Sequence, residues 1–338
     1  MNLGRSFALG VSDPSGAAEA RRRATALARR LGFGETDVGR VAIVVTEAAT
    51  NIVKHAGGGE ILGRALENHG TPGIEILALD RGPGIRDLDA ALRDGYSSAG
   101  TAGTGLGAIR RASSEFDAYS DGTAGTAILT VLQARPRPEA PGDPALRVAG
   151  LSVPKPGEEV CGDDWAARQH RRGFCVLVVD GLGHGTAAAE AALEARRLFQ
   201  EDPVLDPAGM LDRLHRGLRP TRGAAAAVAA VDPDWGQLVY AGIGNIAGVV
   251  LGGERPRALV SQNGILGHAV RGIQEFTYPW PAGSTLVLHS DGLALRWDLQ
   301  AYPGLIRHHP ALIAGILYRD FRRGHDDVTV VVARELPA

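Results

Sequence analysis

The sequence predicts two domains of the α/β (α+β) class joined by a spacer, and three observations carry that prediction. A length of 338 residues suits about two domains. Residues 134–145, Ala-Arg-Pro-Arg-Pro-Glu-Ala-Pro-Gly-Asp-Pro-Ala, hold four prolines and one glycine and no apolar side chain larger than alanine, which is the composition of an extended, semi-rigid linker. On either side of it strand patterns and helical patterns follow one another, and a hydrophobic content of 44% is enough for each half to bury a core. The expected boundaries are 1–133 for the first domain, 134–145 for the linker and 146–338 for the second domain.

The first half opens with an apolar run at Ser6–Val11 suited to a strand. Asp13 and Pro14 then give the cap and first-turn signals of a helix that Gly32 ends. A second helix starts at Thr36, where Val38, Val41, Val45, Ala48, Ala49 and Ile52 recur at helical spacing while Glu47, Asn51, Lys54 and His55 share another face. A carboxylate and an amide one turn apart suit two tasks on one substrate. Asn51 offers an oxygen to Mg²⁺, and Glu47 accepts a proton from an attacking hydroxyl; the same pair also fits an ordinary polar helix face. The strand at residues 74–79 delivers Asp80 into Arg81-Gly82-Pro83-Gly84. That pattern suits recognition of an adenine amino group, or a plain tight turn. Residues 86–102 are polar, glycine-bearing and long enough for a lid. Gly103-Thr104-Gly105-Leu106-Gly107 then opens a helix, and backbone amides exposed there favour phosphate. Gly103, Gly105 and Ala108 also fit the dinucleotide fingerprint. It requires a strand directly before its first glycine, and residues 94–102 are not strand-like, so an oxidoreductase is rejected.

In the second half, strand patterns at Leu146–Val153 and residues 174–179 lead to Asp180-Gly181-Leu182-Gly183-His184-Gly185. Helices are expected at 186–200 and 207–218, strands at 224–231, 237–241 and 247–251, then a strand at 284–289 running into Asp291-Gly292. A helix at 310–318 precedes Asp326-Asp327 and the strand at 328–332. Several strands thus begin or end on aspartate, with Asp163 in a further loop. Any one such pair fits a turn, but carboxylates gathered together repel, and cations between them relieve the repulsion. Oxygen donors without a His or Cys cluster argue for Mg²⁺ or Mn²⁺ rather than zinc, and two such ions clamp a phosphate for in-line displacement. His184 reads as a loop residue, and Cys161 and Cys175 as packing residues.

Composition narrows the function classes. The net charge of -2 supplies no basic field for nucleic acid, and Arg21, Arg22, Arg23, Arg29 and Arg30 read as a solvated helix face. No apolar run near 18 residues and no charged-then-apolar leader are present, and two cysteines make no disulfide framework. A cytoplasmic location without membrane contact is expected.

In order and spacing, Glu47 with Asn51, Asp80 with Gly82 and Gly84, and Gly103-Thr104-Gly105-Leu106-Gly107 resemble the boxes of the GHKL ATPase and kinase superfamily. Lys54-His55-Ala56-Gly57-Gly58-Gly59, Asp94-Gly95-Tyr96-Ser97, and Arg110, Arg111, Glu115 and Phe116 look most like the RsbT-type switch serine kinases of bacterial partner switching. The resemblance covers residues 1–133. It implies a two-layer α/β sandwich binding ATP and Mg²⁺ under a lid, with Asn51 on Mg²⁺, Glu47 as base, Asp80 on adenine and Gly125-Thr126 closing the adenine pocket. Lys54, Gly82, Gly84, Gly103, Thr104, Gly105, Leu106 and Gly107 complete the expected nucleotide site, and the substrate implied is a serine on a STAS-domain protein.

Cys161-Gly162-Asp163, Val179-Asp180-Gly181, Arg222-Gly223-Ala224, Gly242-Ile243-Gly244-Asn245, His289-Ser290-Asp291-Gly292 and Asp326-Asp327-Val328-Thr329 resemble the metal-dependent PPM phosphatases of SpoIIE and RsbX type. The resemblance covers residues 146–335. It implies an α-β-β-α sandwich in which Asp180 bridges two ions, Mn²⁺ or Mg²⁺, with the Gly181 carbonyl and Asp163 on one side and Asp291 and Asp326 on the other. Asp327 is the uncertain neighbour. Together the halves imply a bifunctional regulator that phosphorylates a STAS-domain antagonist and dephosphorylates the same or a sibling protein. The rival reading makes the first half an ATP-regulated binding module that holds a downstream phosphatase or a sigma-factor regulator.

Overall fold

A computed structural model of the chain describes residues 6–68, 71–92, 105–134, 146–170, 173–201, 206–253 and 255–335. Residues 135–145 of the expected linker and 93–102 of the expected lid lie outside the described residues, as do Gly103, Thr104 and the Asp94-Gly95-Tyr96-Ser97 motif. The chain divides into two compact units. Met1–Gly142 with Asp298–Arg319 forms the first, and Asp143–Trp297 with Asp320–Ala338 forms the second.

The first unit begins with β1 (Ser6–Val11), α1 (Pro14–Arg30) and α2 (Glu35–Asn51). The Asp13 side chain accepts from the Ser15 and Gly16 amides and Pro14 takes the first turn, so two orphan donors are satisfied where the sequence signalled a helix start. There follow β2 (Gly59–Asn68), β3 (Thr71–Asp80), a short α3 (Leu88–Ala91), α4 (Gly105–Ala112), β4 (Glu115–Ser120) and β5 (Thr126–Gln133). The five strands make one antiparallel sheet in the order β1-β2-β3-β5-β4. Strand alternation points Ile74, Ile76 and Ala78 of β3 into one core with Leu27, Val41, Val45, Ala48 and Ile109 from the helices. This is the two-layer sandwich expected. Glu75, Leu77 and Leu79 face the other way and are buried as well; Glu75 accepts from Nε and Nη2 of Arg64, directly opposite on β2.

The second unit contains β6 (Leu146–Val153), β7 (Asp163–His170), β8 (Gly173–Gly181), α5 (Thr186–Glu201), α6 (Pro207–Gly217), β9 (Ala224–Asp232), β10 (Gln237–Ile243) and β11 (Ala247–Leu251). The two-residue strands β12 (Arg257–Ala258), β13 (Gly264–Ile265) and β14 (Ala269–Val270) follow, then β15 (Phe276–Pro279), β16 (Thr285–His289) and, after α7 (Pro310–Phe321), β17 (Val328–Glu335). One sheet runs β15-β10-β9-β8-β7 and another β12-β11-β16-β17-β6. Alternate residues of β8 explain the layering. Val176 and Val178 pack with Leu286, Leu288 and Val331 of the other sheet, whereas Leu177 and Val179 pack with Ala191, Ala195, Phe199 and Leu211 of α5 and α6. Three layers of the expected sandwich are therefore built by elements of this unit.

Asp298–Arg319 departs from the expected boundaries, because it packs with the first unit although it lies in the second half of the sequence. From Pro310 to Arg319 every residue of α7 is buried. At Gly315 the helix approaches so closely that an added Cβ would stand 3.2 Å from a Leu79 methyl and 3.7 Å from one of Leu77. A helix apolar on every side carries no sequence signal of which sheet it covers.

Phe199 is fully buried between α5 and its sheet, with the Arg168 guanidinium 5.2 Å from its ring centroid. Phe199→Ala should lower stability by about 3–5 kcal/mol, read as an earlier transition in urea unfolding followed by circular dichroism.

Candidate functional site

The first cluster forms where α2, β3, α4 and β5 end together. Glu47 and Asn51 lie one turn apart near the C-terminus of α2, and the chain then widens into a single π-helical turn, Ile52–Ala56, a distortion frequent at functional sites. Gly105 opens α4 beside them: a Cβ there would meet Asn51 Oδ1 at 3.4 Å and Glu47 Oε2 at 3.5 Å. The Gly105 end of the helix thus faces the carboxylate–amide pair. Gly107 is buried inside α4, and Leu106 packs against the helical core. Lys54 is exposed on the π turn, and the structure gives it no contact with the other site residues among those described.

Asp80 ends β3 half-buried. Its Oδ1 accepts the Gly82 amide at 2.8 Å and the Thr126 amide at 3.1 Å. Burial raises its carboxyl above the usual range, against these two hydrogen bonds and the nearby Arg319 and His55. Gly82 has to be glycine, since a Cβ would stand 2.7 Å from that of Ala56. Gly84 closes the turn, which Ser120 holds by accepting the Ile85 amide at 2.7 Å. Ser120 belongs to no motif, and its role was not visible in the sequence. The turn brings Asp80, Gly82 and Thr126 together by the two hydrogen bonds that the Asp80 carboxylate accepts.

The second cluster lies at the ends of β7, β8, β16 and β17. Asp163 and Asp180 stand directly opposite on the β7–β8 ladder, and Asp163 is almost fully buried, with Oδ2 lacking a hydrogen-bond partner. Burial and the charge of Asp180 push the Asp163 carboxyl well above the usual carboxylate range. Burial, then Asp291 and Asp326, push Asp180 up to about 7. Asn245 bridges the group, donating to Asp291 Oδ2 at 2.7 Å and hydrogen-bonding Asp180; Ser290 bonds Asp163. Both sit inside the quoted motifs, but neither was given a role from sequence. Among the described residues no three carboxylate, imidazole or thiol groups converge closely enough to enclose an ion by themselves.

The structure separates the Asp326-Asp327 neighbours. Asp327 is buried with Oδ1 on the Lys155 amide at 2.8 Å and Oδ2 on the Gly162 amide at 3.0 Å, so both of its oxygens tie the β7 loop to β17. Asp326 is half-exposed beside the cluster and accepts the Asp327 amide at 2.9 Å. The Gly181 amide donates to the Gly162 carbonyl, which brings the 161–163 loop against the end of β8. His184 Nδ1 pairs with Glu158 Oε1 at 2.7 Å in the loop where it was expected. A donor set made of oxygens, with a buried unpartnered carboxylate oxygen, fits hard divalent cations.

Comparison with known proteins separates the two halves of the sequence. The histidine kinase-like ATPase domain family matches residues 11–131 and the Stage II sporulation protein E (SpoIIE) family residues 170–335. The serine/threonine-protein kinase RsbT of Bacillus subtilis (strain 168) is 37% identical over 112 residues, 33% of this chain and 84% of RsbT. In its first half the chain belongs to the RsbT family. The phosphoserine phosphatase RsbX of the same organism is 26% identical over 141 residues, 41% of this chain and 70% of RsbX. A crystal structure of RsbX in complex with magnesium shares the fold, with a TM-score of 0.50 at 22% identity over 56% of this chain and 94% of that one. A structure described under the bacterial stressosome, a modular system adapted to control secondary messenger signalling, gives 0.52 at 29% identity, covering 56% and 99%. The chain thus joins a kinase-like ATPase domain to a phosphatase-like domain.

Asp80→Ala would remove the acceptor and leave two amides unpaired. ADP affinity should fall by about one to two orders of magnitude, measured by titration calorimetry. Asp180 gives a pH signature. Its folded pKa lies above the unfolded value, so the folded state binds the extra proton and loses stability as pH rises from about 4 to 7. In chelator, Asp180→Asn should flatten that part of the thermal midpoint against pH; an unchanged slope would contradict the cluster's electrostatics.

Proposed function

We propose that the chain is a bifunctional, cytoplasmic partner-switching regulator. Its first unit phosphorylates a serine of a STAS-domain antagonist from ATP, and its second removes phosphate from phosphoserine on the same or a sibling STAS protein. The carrying observation is that one polypeptide joins a Glu47–Asn51–Asp80 cluster, in a unit similar to a protein kinase, to an aspartate cluster in a unit similar to a phosphoserine phosphatase.

In the kinase reading Glu47 takes the proton of the substrate hydroxyl as the serine oxygen bonds to the γ-phosphorus and ADP leaves. Asn51 offers its oxygen to Mg²⁺, Asp80 holds the adenine amino group, and the Gly105 end of α4 faces the phosphates. In the phosphatase half, two Mg²⁺ or Mn²⁺ ions would neutralise the phosphoryl oxygens. Asp180, Asp163, the Gly181 carbonyl, Asp291 and Asp326 are the residues to hold them. Asn245 orients Asp291 and Asp180, and Asp327 fixes the loop that carries Asp163.

The test is transfer from labelled ATP to the STAS protein recovered with the chain, comparing wild type, Asp180→Asn and Glu47→Ala. Label accumulating in Asp180→Asn alone supports both activities on one serine. Equal, stable label in wild type and Asp180→Asn assigns the phosphatase another target. If partner binding persists but no form transfers label, the first unit is an ATP-regulated binding module.

A further inference from the structure

Asp298–Arg319 is the part of the chain that the sites described above do not use. It leaves the second unit soon after Asp291 and rejoins it shortly before Asp326, so the expected ligands Asp291 and Asp326 bracket it in the sequence. Within the first unit it is fastened at two places. At one end His308 Nδ1 bonds Asp117 Oδ1 at 2.9 Å and the His309 amide donates to Asp117 Oδ2 at 2.7 Å, while the His308 ring meets Tyr119 edge-on, centroids 5.4 Å apart. At the other end Arg319, nearly fully buried, donates from Nη1 to the Asp80 carbonyl at 2.7 Å, and Arg81 donates to the Arg319 carbonyl.

The second fastening is on the residue expected to read adenine. Asp80 uses its carboxylate on the Gly82 and Thr126 amides and its backbone carbonyl on Arg319. Gly125 makes room for this. Its φ is +85°, and a Cβ there would stand 2.9 Å from Arg319 Nη1 and 2.8 Å from the Arg81 Cα, so the turn that closes the pocket is shaped around the guanidinium. A buried guanidinium with a carbonyl acceptor has few alternative placements. A shift of the Asp80 backbone therefore moves Arg319, and the end of α7 with it.

We propose that Asp298–Arg319 couples nucleotide binding at Asp80 to the phosphatase aspartates, with Arg319 as the positioning residue that joins them. The proposal rests on the nucleotide reading of the first unit. Ligand at Asp80 favours one placement of Arg319; the segment transmits that preference to the chain on both sides, which carries Asp291 and Asp326. Coupling of this kind is reciprocal in binding free energy and is on the order of fivefold or more where it regulates.

The experiment uses the full chain with ADP, which binds without transferring phosphate, at constant free Mn²⁺. ADP affinity is measured by calorimetry, amide exchange across 298–319 by mass spectrometry, and p-nitrophenyl phosphate hydrolysis with and without saturating ADP. The expected result is that ADP slows exchange in 298–319 and changes the hydrolysis rate about fivefold. In Arg319→Ala the affinity should fall about tenfold and both responses should vanish at saturating ADP. Arg319→Lys, which keeps the charge and a donor, should recover part of each and stands in if the alanine variant does not fold. ADP binding in the wild type without any change in exchange or rate overturns the coupling and leaves the nucleotide site intact. Wild-type responses in both variants overturn the role of Arg319. Absence of ADP binding overturns the nucleotide reading itself, and the coupling with it.

Discussion

Asp163 and Asp180 face one another across the β7–β8 ladder, with Asp291 and Asp326 close enough to raise the Asp180 pKa. Much of the second unit is organised to tolerate that repulsion. Coulomb energy between like charges grows as water is excluded, so the pair is stable only where something opposes it: a proton, an amide donor or a cation. Asn245 and Ser290 supply amide and hydroxyl donors, and both carboxylate oxygens of Asp327 accept backbone amides. The buried strands behind them, packed on both faces, hold the aspartates from spreading apart.

In the first unit the constraint is steric. Asp80 is approached from several sides by backbone, and the approach distances leave no room for side chains at Gly82 or Gly125. The Asp80 carboxylate is therefore fixed by hydrogen bonds to the main chain, whose positions do not depend on rotamers.

Local signals were legible. The Asp13-Pro14 helix start, the apolar stripe of α2, the strands ending on Asp80, Asp180 and Asp291, and the two families all follow from residues close together in the sequence, where caps and periodicity act. What was not legible depends on pairings between distant residues. Asn245 with Asp291, Lys155 with Asp327, and Arg319 with Asp80 join positions whose local patterns carry no mark of one another. The helix at 310–318 was found, but its uniform apolarity gave no indication that it would pack with the first unit.

The path of Asp298–Arg319 makes the joining of the two halves more than a tether. The polypeptide crosses between units at 142–143, again at 297–298 and once more at 319–320. A single cleavage in the proline-rich stretch would nick the protein without yielding two whole units, because a fragment starting there still carries a helix belonging to the other. Genetic exchange faces the same obstacle: a phosphatase half moved onto a foreign kinase partner would bring α7 with it and need a surface to receive it. The halves are thereby constrained to be inherited as a matched pair.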